Sequence, residues 1–435
     1  MEKLIGKLKQ KNAVLGVIGL GYVGLPLAVE KAKAGFKTIG FDVQNEKIIQ
    51  VNEGVNYIGD VVNEDLSEVV RSGLLQATSD FSRVASADCV CICVPTPLDK
   101  HQQPDISYVK KSAESILPYL HKDMLIVLES TTYPGTTQEL LLPIFESTGL
   151  ICGKDFYLAF SPERVDPGNI KFKTKNTPKV VGGVTKNCTE VAGVLYEEIL
   201  DAPVHKVSSP AVAEMEKILE NTYRNVNIGL VNELAILSDK MGINFWEVVD
   251  AAKTKPYGFQ AFYPGPGLGG HCIPLDPYYL SWKAREYGVH TSMIEASMVI
   301  NDKMPEYCVM RASKILNKFQ KAISQSKILI LGIAYKQDID DYRESPALSI
   351  IEELECEGAE VSFYDSFISE YKNKGTLKRG LSSIDENILQ EFDLVIITTS
   401  HTSVDYSFIQ QNSRMIFDTK NATKNVANKE NIELL

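Results

Sequence analysis

The chain has 435 residues, 44% of them hydrophobic and 23% charged, and a formal net charge of −11. That length is a prior for about three domains, and the composition suits large buried cores. The acidic balance argues against a nucleic-acid partner, which would ask for a basic excess. No apolar run approaches the ~18 residues of a membrane helix. Met1-Glu2-Lys3 leads into no signal region. A cytoplasmic protein without a membrane partner is expected.

In chain order, the basic stretch 3–11 reads as a solvated extension. An apolar strand then runs into Gly19-Leu20-Gly21-Tyr22-Val23-Gly24, followed by a helical pattern. Asp42 ends the next strand, 18 residues beyond Gly24. Such glycines permit a tight turn and close approach of backbone to a pyrophosphate at a helix N-terminus. The carboxylate would accept from ribose hydroxyls and favours NAD over NADP. Short apolar runs at 13–19, 38–42, 89–94, 125–129, 157–161 and 179–183 read as buried parallel strands. Cys89, Cys91 and Cys93 alternate, which puts them on one strand face. No further ligands follow, so they read as small buried hydrophobes and no metal site is expected.

Residues 211–241 lack proline and carry apolar residues at helical spacing, ending at Gly242, a natural C-cap. This long helix would join two α/β units and could offer a dimer face. On it Lys217 and Asn221 share a face, as do Glu220 and Arg224. Spacing alone favours a solvated helix surface.

Next comes Pro264-Gly265-Pro266-Gly267-Leu268-Gly269-Gly270-His271-Cys272-Ile273-Pro274-Leu275-Asp276. A glycine-proline loop packs a core poorly and admits a substrate closely. Its backbone N–H groups could bind an anion. Cys272 therefore reads as a nucleophile rather than a core thiol. His271 is an alternative thiol activator, although consecutive side chains seldom converge.

Strands return at 327–332, 360–365, 394–398 and 415–418. Ile328 to Tyr335 parallels Leu15 to Tyr22, and Glu357 to Asp365 parallels Ala34 to Asp42. In both copies seven positions separate glycine from aspartate. The second copy lacks the later loop glycines and gains residues 336–345, so the two units would hold different ligands. The fold class is α/β, two Rossmann-like doubly wound domains joined by a long central helix. The domains are 1–206, 207–310 and 311–435.

These motifs, with Pro95-Thr96-Pro97, Glu129 to Thr136, Ser161-Pro162-Glu163-Arg164-Val165, Glu216-Lys217 and Arg343-Glu344-Ser345, give the chain its resemblance. It resembles the nucleotide-sugar dehydrogenases, the UDP-glucose/GDP-mannose 6-dehydrogenase family, over nearly its whole length. The form at 162–168 looks like the N-acetylhexosamine branch, and that at 270–277 looks most like UDP-N-acetylglucosamine 6-dehydrogenases of bacterial O-antigen and capsule pathways.

The resemblance implies oxidation of a UDP-sugar alcohol to an acid by NAD, through a thiohemiacetal and a thioester on Cys272. It implies that Lys217 and Asn221 stabilise the oxyanion, that Glu163 serves the hydrolytic water, and that Asp276 and Thr132 organise water and proton transfer. Gly19, Gly21, Tyr22, Val23, Gly24, Asp42, Lys47, Thr96, Thr132 and Arg343 fall at NAD positions. Glu163, Arg164, Val165, Lys217, Asn221, Tyr257, Tyr263, Gly267, Gly269, Tyr335 and Lys336 fall at substrate positions, and Lys420 aligns there more loosely. A homodimer or higher homo-oligomer through the central helix is implied. One departure stands out. Where the family often has an arginine reaching a neighbouring subunit, this chain has Lys253-Thr254-Lys255-Pro256-Tyr257, and lysine does not replace bidentate recognition. Two rivals share the halves. A 3-hydroxyacid or 6-phosphogluconate-like dehydrogenase needs no cysteine. An NAD-binding redox sensor would use Cys272 as a switch.

Overall fold

A computed structural model describes every residue except Asp60, Pro167, Ile170, His271 and Lys374. His271 and Pro167, both singled out in the sequence, thus lie outside the described residues. The chain forms two compact units, Met1–Glu220 with Tyr278–Val289, and Asn221–Pro277 with His290–Leu435.

The first unit is built on eight strands: β1 (Val14–Ile18), β2 (Lys37–Phe41), β3 (Leu75–Thr78), β4 (Cys89–Ile92), β5 (Leu125–Leu128), β6 (Tyr157–Phe160), β7 (Lys179–Gly183) and β8 (Val204–Val207). Their order is β3-β2-β1-β4-β5-β6-β7-β8. The order reverses between β1 and β4, the switch point at which doubly wound sheets bind ligands. The interior strands are apolar on both faces because helices cover both.

The parallel expectation fails at one place. β7 runs antiparallel to β6, while β7 and β8 are parallel. Between β6 and β7 the described residues form only a short 3-10 turn, Thr174–Asn176, and a parallel return would need a crossover element. The basic stretch 3–11 is also not a free extension. Glu2–Lys9 is a helix whose Leu4 and Leu8 are buried, with Lys7 on Asp88 at 2.6 Å and Lys11 on Glu198 at 2.7 Å.

The second unit carries β9 (Lys327–Leu331), β10 (Glu360–Tyr364), a hairpin of β11 (Glu370–Asn373) and β12 (Thr376–Arg379), then β13 (Leu394–Ile397), β14 (Ile416–Asp418) and β15 (Ile432–Leu434). The main order is β10-β9-β13-β14-β15, all parallel, with its switch between β9 and β13. Alternate residues feed two cores: Ile328 and Ile330 on one face, Leu329 and Leu331 on the other.

The long helix is Pro210–Met241, about 48 Å at 1.5 Å per residue. Gly242 ends it at φ +73°, with Ile243 N–H donating to Ser238 O at 2.9 Å. That left-handed cap needs glycine. Among the described residues no helix is long and apolar enough to cross a membrane.

Candidate active site

The first glycine loop separates what the fold demands from what it leaves free. Gly19 sits at φ +89°, and a Cβ there would lie 2.5 Å from the Cys93 carbonyl oxygen. A Cβ on Gly24 would lie 1.8 Å from the Gly19 carbonyl oxygen. Packing alone requires both glycines. A Cβ on Gly21 would meet nothing within 4 Å. Gly21 leaves open space beside the N-terminus of helix Gly24–Lys33, where the helix dipole favours an anion. Tyr22 is exposed and Val23 half-buried. Asp42 stands beside this space. Its Oδ2 accepts from Leu20 N–H at 2.8 Å and its Oδ1 from Gln44 N–H at 2.9 Å. A carboxylate has about four acceptor sites, so capacity remains for a diol. Lys47 follows on helix Asn45–Glu53 and is half-buried.

The second copy keeps this frame and fills it. Gly332 N–H donates to Tyr364 O as Gly19 N–H does to Phe41 O, both at 2.8 Å. Asp365 Oδ2 accepts from Ile333 at 2.7 Å, from Ala334 at 3.0 Å and from His401 Nε2 at 3.0 Å. Its Oδ1 takes Phe367 and Ile368 N–H. Burial works to raise the Asp365 pKa, but the His401 and backbone hydrogen bonds outweigh it and hold it low.

Elsewhere in the first unit, Thr96 Oγ1 donates to Thr131 O at 2.7 Å. The buried Thr132 lies 2.6 Å from Thr136, whose hydroxyl donates to Tyr133 O. Thr132 must therefore donate, and its own lone pairs stay available. Glu163 Oε1 accepts from the N–H groups of Arg164 and Val165, each at 2.8 Å. Arg164 pairs with Glu220 and reaches Glu216 at 3.4 Å and Pro178 O at 3.0 Å. Glu220 thus pairs with Arg164 rather than with Arg224, which is exposed. Burial and the adjacent Glu220 carboxylate push Glu216 up to about 7.

The long helix is not solvated at Lys217 and Asn221, which are 7% and 5% exposed. In the second unit its asparagines grip the cysteine loop. Asn221 Nδ2 donates to Asp276 Oδ2 at 2.5 Å, and Asn225 Nδ2 to Ile273 O at 3.1 Å. Asn232 Oδ1 accepts from Gly265 N–H at 3.0 Å. Ser297 Oγ and Asn301 Nδ2 hold Asn225 in turn, and Asn232 Nδ2 donates to Asn301 Oδ1. Cys272 itself is half-buried, and its carbonyl accepts from Asp276 N–H at 2.9 Å. A Cβ on Gly269 would meet Tyr335 Cβ at 2.6 Å, one on Gly267 Pro346 at 2.9 Å, and one on Gly265 the Lys420 Nζ at 3.1 Å. The loop, Tyr335 and Lys420 are therefore neighbours.

Matches to known proteins follow this division. Models of the UDP-glucose/GDP-mannose dehydrogenase family match residues 13–200 (NAD binding domain), 211–303 (central domain) and 329–425 (UDP binding domain). The chain belongs to this family. It is an NAD-dependent nucleotide-sugar dehydrogenase. The chain is 38% identical over 415 residues to Protein CapL of Staphylococcus aureus, covering 94% of this chain and 96% of that one. It is 36% identical to the UDP-N-acetyl-D-glucosamine 6-dehydrogenase of Pseudomonas aeruginosa, covering 90% and 91%. The solved structure of a UDP-D-ManNAc dehydrogenase from Pyrococcus horikoshii superposes with a TM-score of 0.89 at 32% identity, covering 97% and 98%.

Other expected residues of the dehydrogenase have the following surroundings. Arg343 lies against Asp341, Nη2 to Oδ2 at 2.6 Å, and Lys336 is half-buried. Tyr257 is exposed, with Lys255 Nζ 5.1 Å over its ring. Tyr263 stacks on Trp246 and donates to Asp250 Oδ1 at 2.8 Å. The clamp residues Asn225, Asn232, Ser297 and Asn301 went unread in the sequence. The spacing 221, 225, 232 on one helix face was their signal.

Proposed function

We propose that the dehydrogenase oxidises the C6 hydroxyl of a UDP-N-acetylhexosamine, most specifically UDP-N-acetylglucosamine, to the uronic acid for a bacterial surface polysaccharide precursor. The observation that carries the reading is the half-buried Cys272 thiol on a glycine loop clamped by Asn225 and Asn232. A fixed, reachable thiol suits covalent catalysis. Relatives named for UDP-N-acetylglucosamine and for UDP-D-ManNAc support an N-acetylhexosamine. The motif at 270–277 supports the glucosamine epimer.

NAD, when bound, takes up two electrons at each of two stages, so two NAD are consumed per sugar. The chain supplies the rest. Gly19, Gly21 and Gly24, with Tyr22 and Val23, seat the diphosphate; Asp42 and Lys47 hold the adenosine end; Thr96, Thr132 and Arg343 complete that site. Cys272 Sγ adds to the C6 aldehyde, which becomes a thioester after the second oxidation. Lys217 and Asn221 stabilise the oxyanion. Asp276, oriented by Asn221, and Thr132 order water and protons. Water at Glu163 then splits the thioester. Arg164, Val165, Tyr257, Tyr263, Gly267, Gly269, Tyr335, Lys336 and Lys420 hold the nucleotide sugar. We assign the NAD domain to 1–206, the central domain to 207–310 and the UDP domain to 311–435. We assign the protein to the cytoplasm, and a homo-oligomer is supported by the exposed apolar residues Leu230, Leu234, Leu237 and Met241 on the long helix.

The test is NADH formation against UDP-N-acetylglucosamine, UDP-N-acetylmannosamine, UDP-N-acetylgalactosamine and UDP-glucose, with Cys272→Ser beside the unmodified enzyme. A serine without a paired base is a poor nucleophile. Its rate should drop at least ~1000-fold, about 4 kcal/mol, with sugar-nucleotide binding retained. Near-normal turnover would return the chain to the simple two-electron dehydrogenases.

A further inference from the structure

Behind Glu163 lies a buried charge cluster that no assigned role uses. Lys179 opens β7, and its side chain is 6% exposed. Its Nζ donates to Glu129 Oε2 at 2.8 Å and to Glu163 Oε2 at 3.4 Å. Glu129 follows β5 with its side chain fully covered, and its Oε1 accepts from Tyr196 at 2.6 Å. Beneath it the fully buried Lys31 donates to Cys91 Sγ at 2.8 Å, and that sulfur is 3.9 Å from the Tyr196 hydroxyl. Two ammonium groups thus face two carboxylates, Glu129 and Glu163. Burial works to lower the Lys179 pKa, but the Glu129 and Glu163 charges outweigh it and raise it. Lys179 stays charged.

Glu163 is where this cluster reaches the surface, its side chain 16% exposed. Its Oε1 already accepts two backbone N–H groups, which fills that oxygen's two lone pairs. Oε2 has two, and Lys179 takes one. The direction of the other is then fixed. Glu163, Arg164, Thr177, Lys179 and Tyr196, among others, line a cavity of about 10 Å³. That is about the space of one water.

We propose that Lys179, anchored by Glu129, is the positioning residue that aims the free lone pair of Glu163 at the hydrolytic water. This rests on the thioester reading above. In the step, the water oxygen bonds the thioester carbon and the C–S bond breaks. The water proton passes to Glu163 Oε2, and the sulfur leaves as the Cys272 thiolate. A buried ion pair is weak evidence of a stabilising role. An apolar pair of equal volume would fill the same space but give Glu163 no donor.

The test is the variant Glu129→Gln/Lys179→Met, which removes both charges together. It should lose about 30-fold in kcat, within the ~10²-fold that misplacement of a reacting group costs. Slower release of an acyl-enzyme lowers kcat and KM together, so kcat/KM should hold within about 3-fold. A rapid burst of two NADH per Cys272 should persist, and mass spectrometry should find the uronyl adduct on the Cys272 peptide. Lys179→Arg, which keeps the donor, should restore most of kcat. Glu129→Gln alone should shift the same split by about 5-fold, so the inference stands or falls even if the double variant does not fold. Glu163→Gln is the reference. An adduct there, with kcat/KM falling alongside kcat in the Lys179 variants or with kcat unchanged, overturns the role of Lys179 and leaves the thioester reading intact. No adduct in Glu163→Gln overturns both.

Discussion

Two glycines of one loop should fail in opposite ways. Gly24→Ala places a methyl 1.8 Å from a carbonyl oxygen, which only backbone movement can relieve. Overpacking of that kind costs about 3 kcal/mol or more. A shift of ~2 °C per kcal/mol for a large chain makes this a loss of about 6 °C in Tm. Gly21→Ala meets no atom, and Gly21 is not among the positive-φ glycines. Restricting the unfolded chain then stabilises by up to ~1 kcal/mol, so Tm should hold or rise by about 2 °C. Its methyl would instead occupy the space where a diphosphate approaches the helix N-terminus. Losing one hydrogen bond to a charged group costs about 1.5–3 kcal/mol, a 10- to 150-fold rise in the NAD Kd. Scanning fluorimetry without nucleotide and titration calorimetry with NAD separate the two effects. Unchanged NAD affinity in Gly21→Ala, or unfolding of it alongside Gly24→Ala, would refute the division.

Two further outcomes follow from named carboxylates. Asp42→Ala should weaken NAD and relax discrimination against NADP, because a carboxylate beside the ribose repels a 2′-phosphate; equal turnover with both cofactors in the unmodified enzyme would contradict this. Glu216, pushed up to about 7 by burial and Glu220, keeps its proton in the folded state only up to about that pH, so its contribution is present below an unfolded pKa near ~4.3 and lost as pH rises through 7. Glu216→Gln should therefore raise Tm by about a degree at pH 8 and hardly at pH 5; equal gains at both values would show that the raised pKa is not the cause.

What the sequence disclosed tracks how the elements are buried. Every strand read from an apolar run is present, because interior strands covered on both faces are apolar throughout. The unread strands in the two main sheets are edges. β3 alternates, with Gln76 exposed, and β8 reads Val-His-Lys-Val with its middle outward. β15 ends the second sheet and is only half-buried. Edge strands carry polar residues that blur the pattern. The antiparallel turn of β7 was illegible because direction depends on the connection, not on the strand. At the site, Cys272, Glu163 and the glycines were visible because their residue types are chemically unusual in context. The asparagine clamp and the Glu129–Lys179 pair were not. Each member looks ordinary until its partner, 33 to 76 residues away, is known.

The two glycine loops show how one frame came to hold two ligands. Gly35 and Gly358, seven residues before Asp42 and Asp365, both adopt positive φ, +93° and +87°. Both aspartates receive the N–H after the first loop glycine. The difference lies in what is left over. In the second copy Ala334, 1% exposed, stands where Gly21 leaves space, and its N–H also goes to Asp365. Asp338 N–H donates to His401 Nδ1 at 3.0 Å, so the ring's proton is on Nε2 and aims at Asp365. Five donors leave that carboxylate no capacity for a diol, and a methyl closes the approach of a second diphosphate. The C-terminal domain, matched as the UDP binding domain, should therefore not bind NAD at this loop, and its UDP must be held by other residues. UDP alone should inhibit competitively with the nucleotide sugar and not with NAD. Inhibition competitive with NAD only would mean that the filled carboxylate and the alanine do not exclude a dinucleotide.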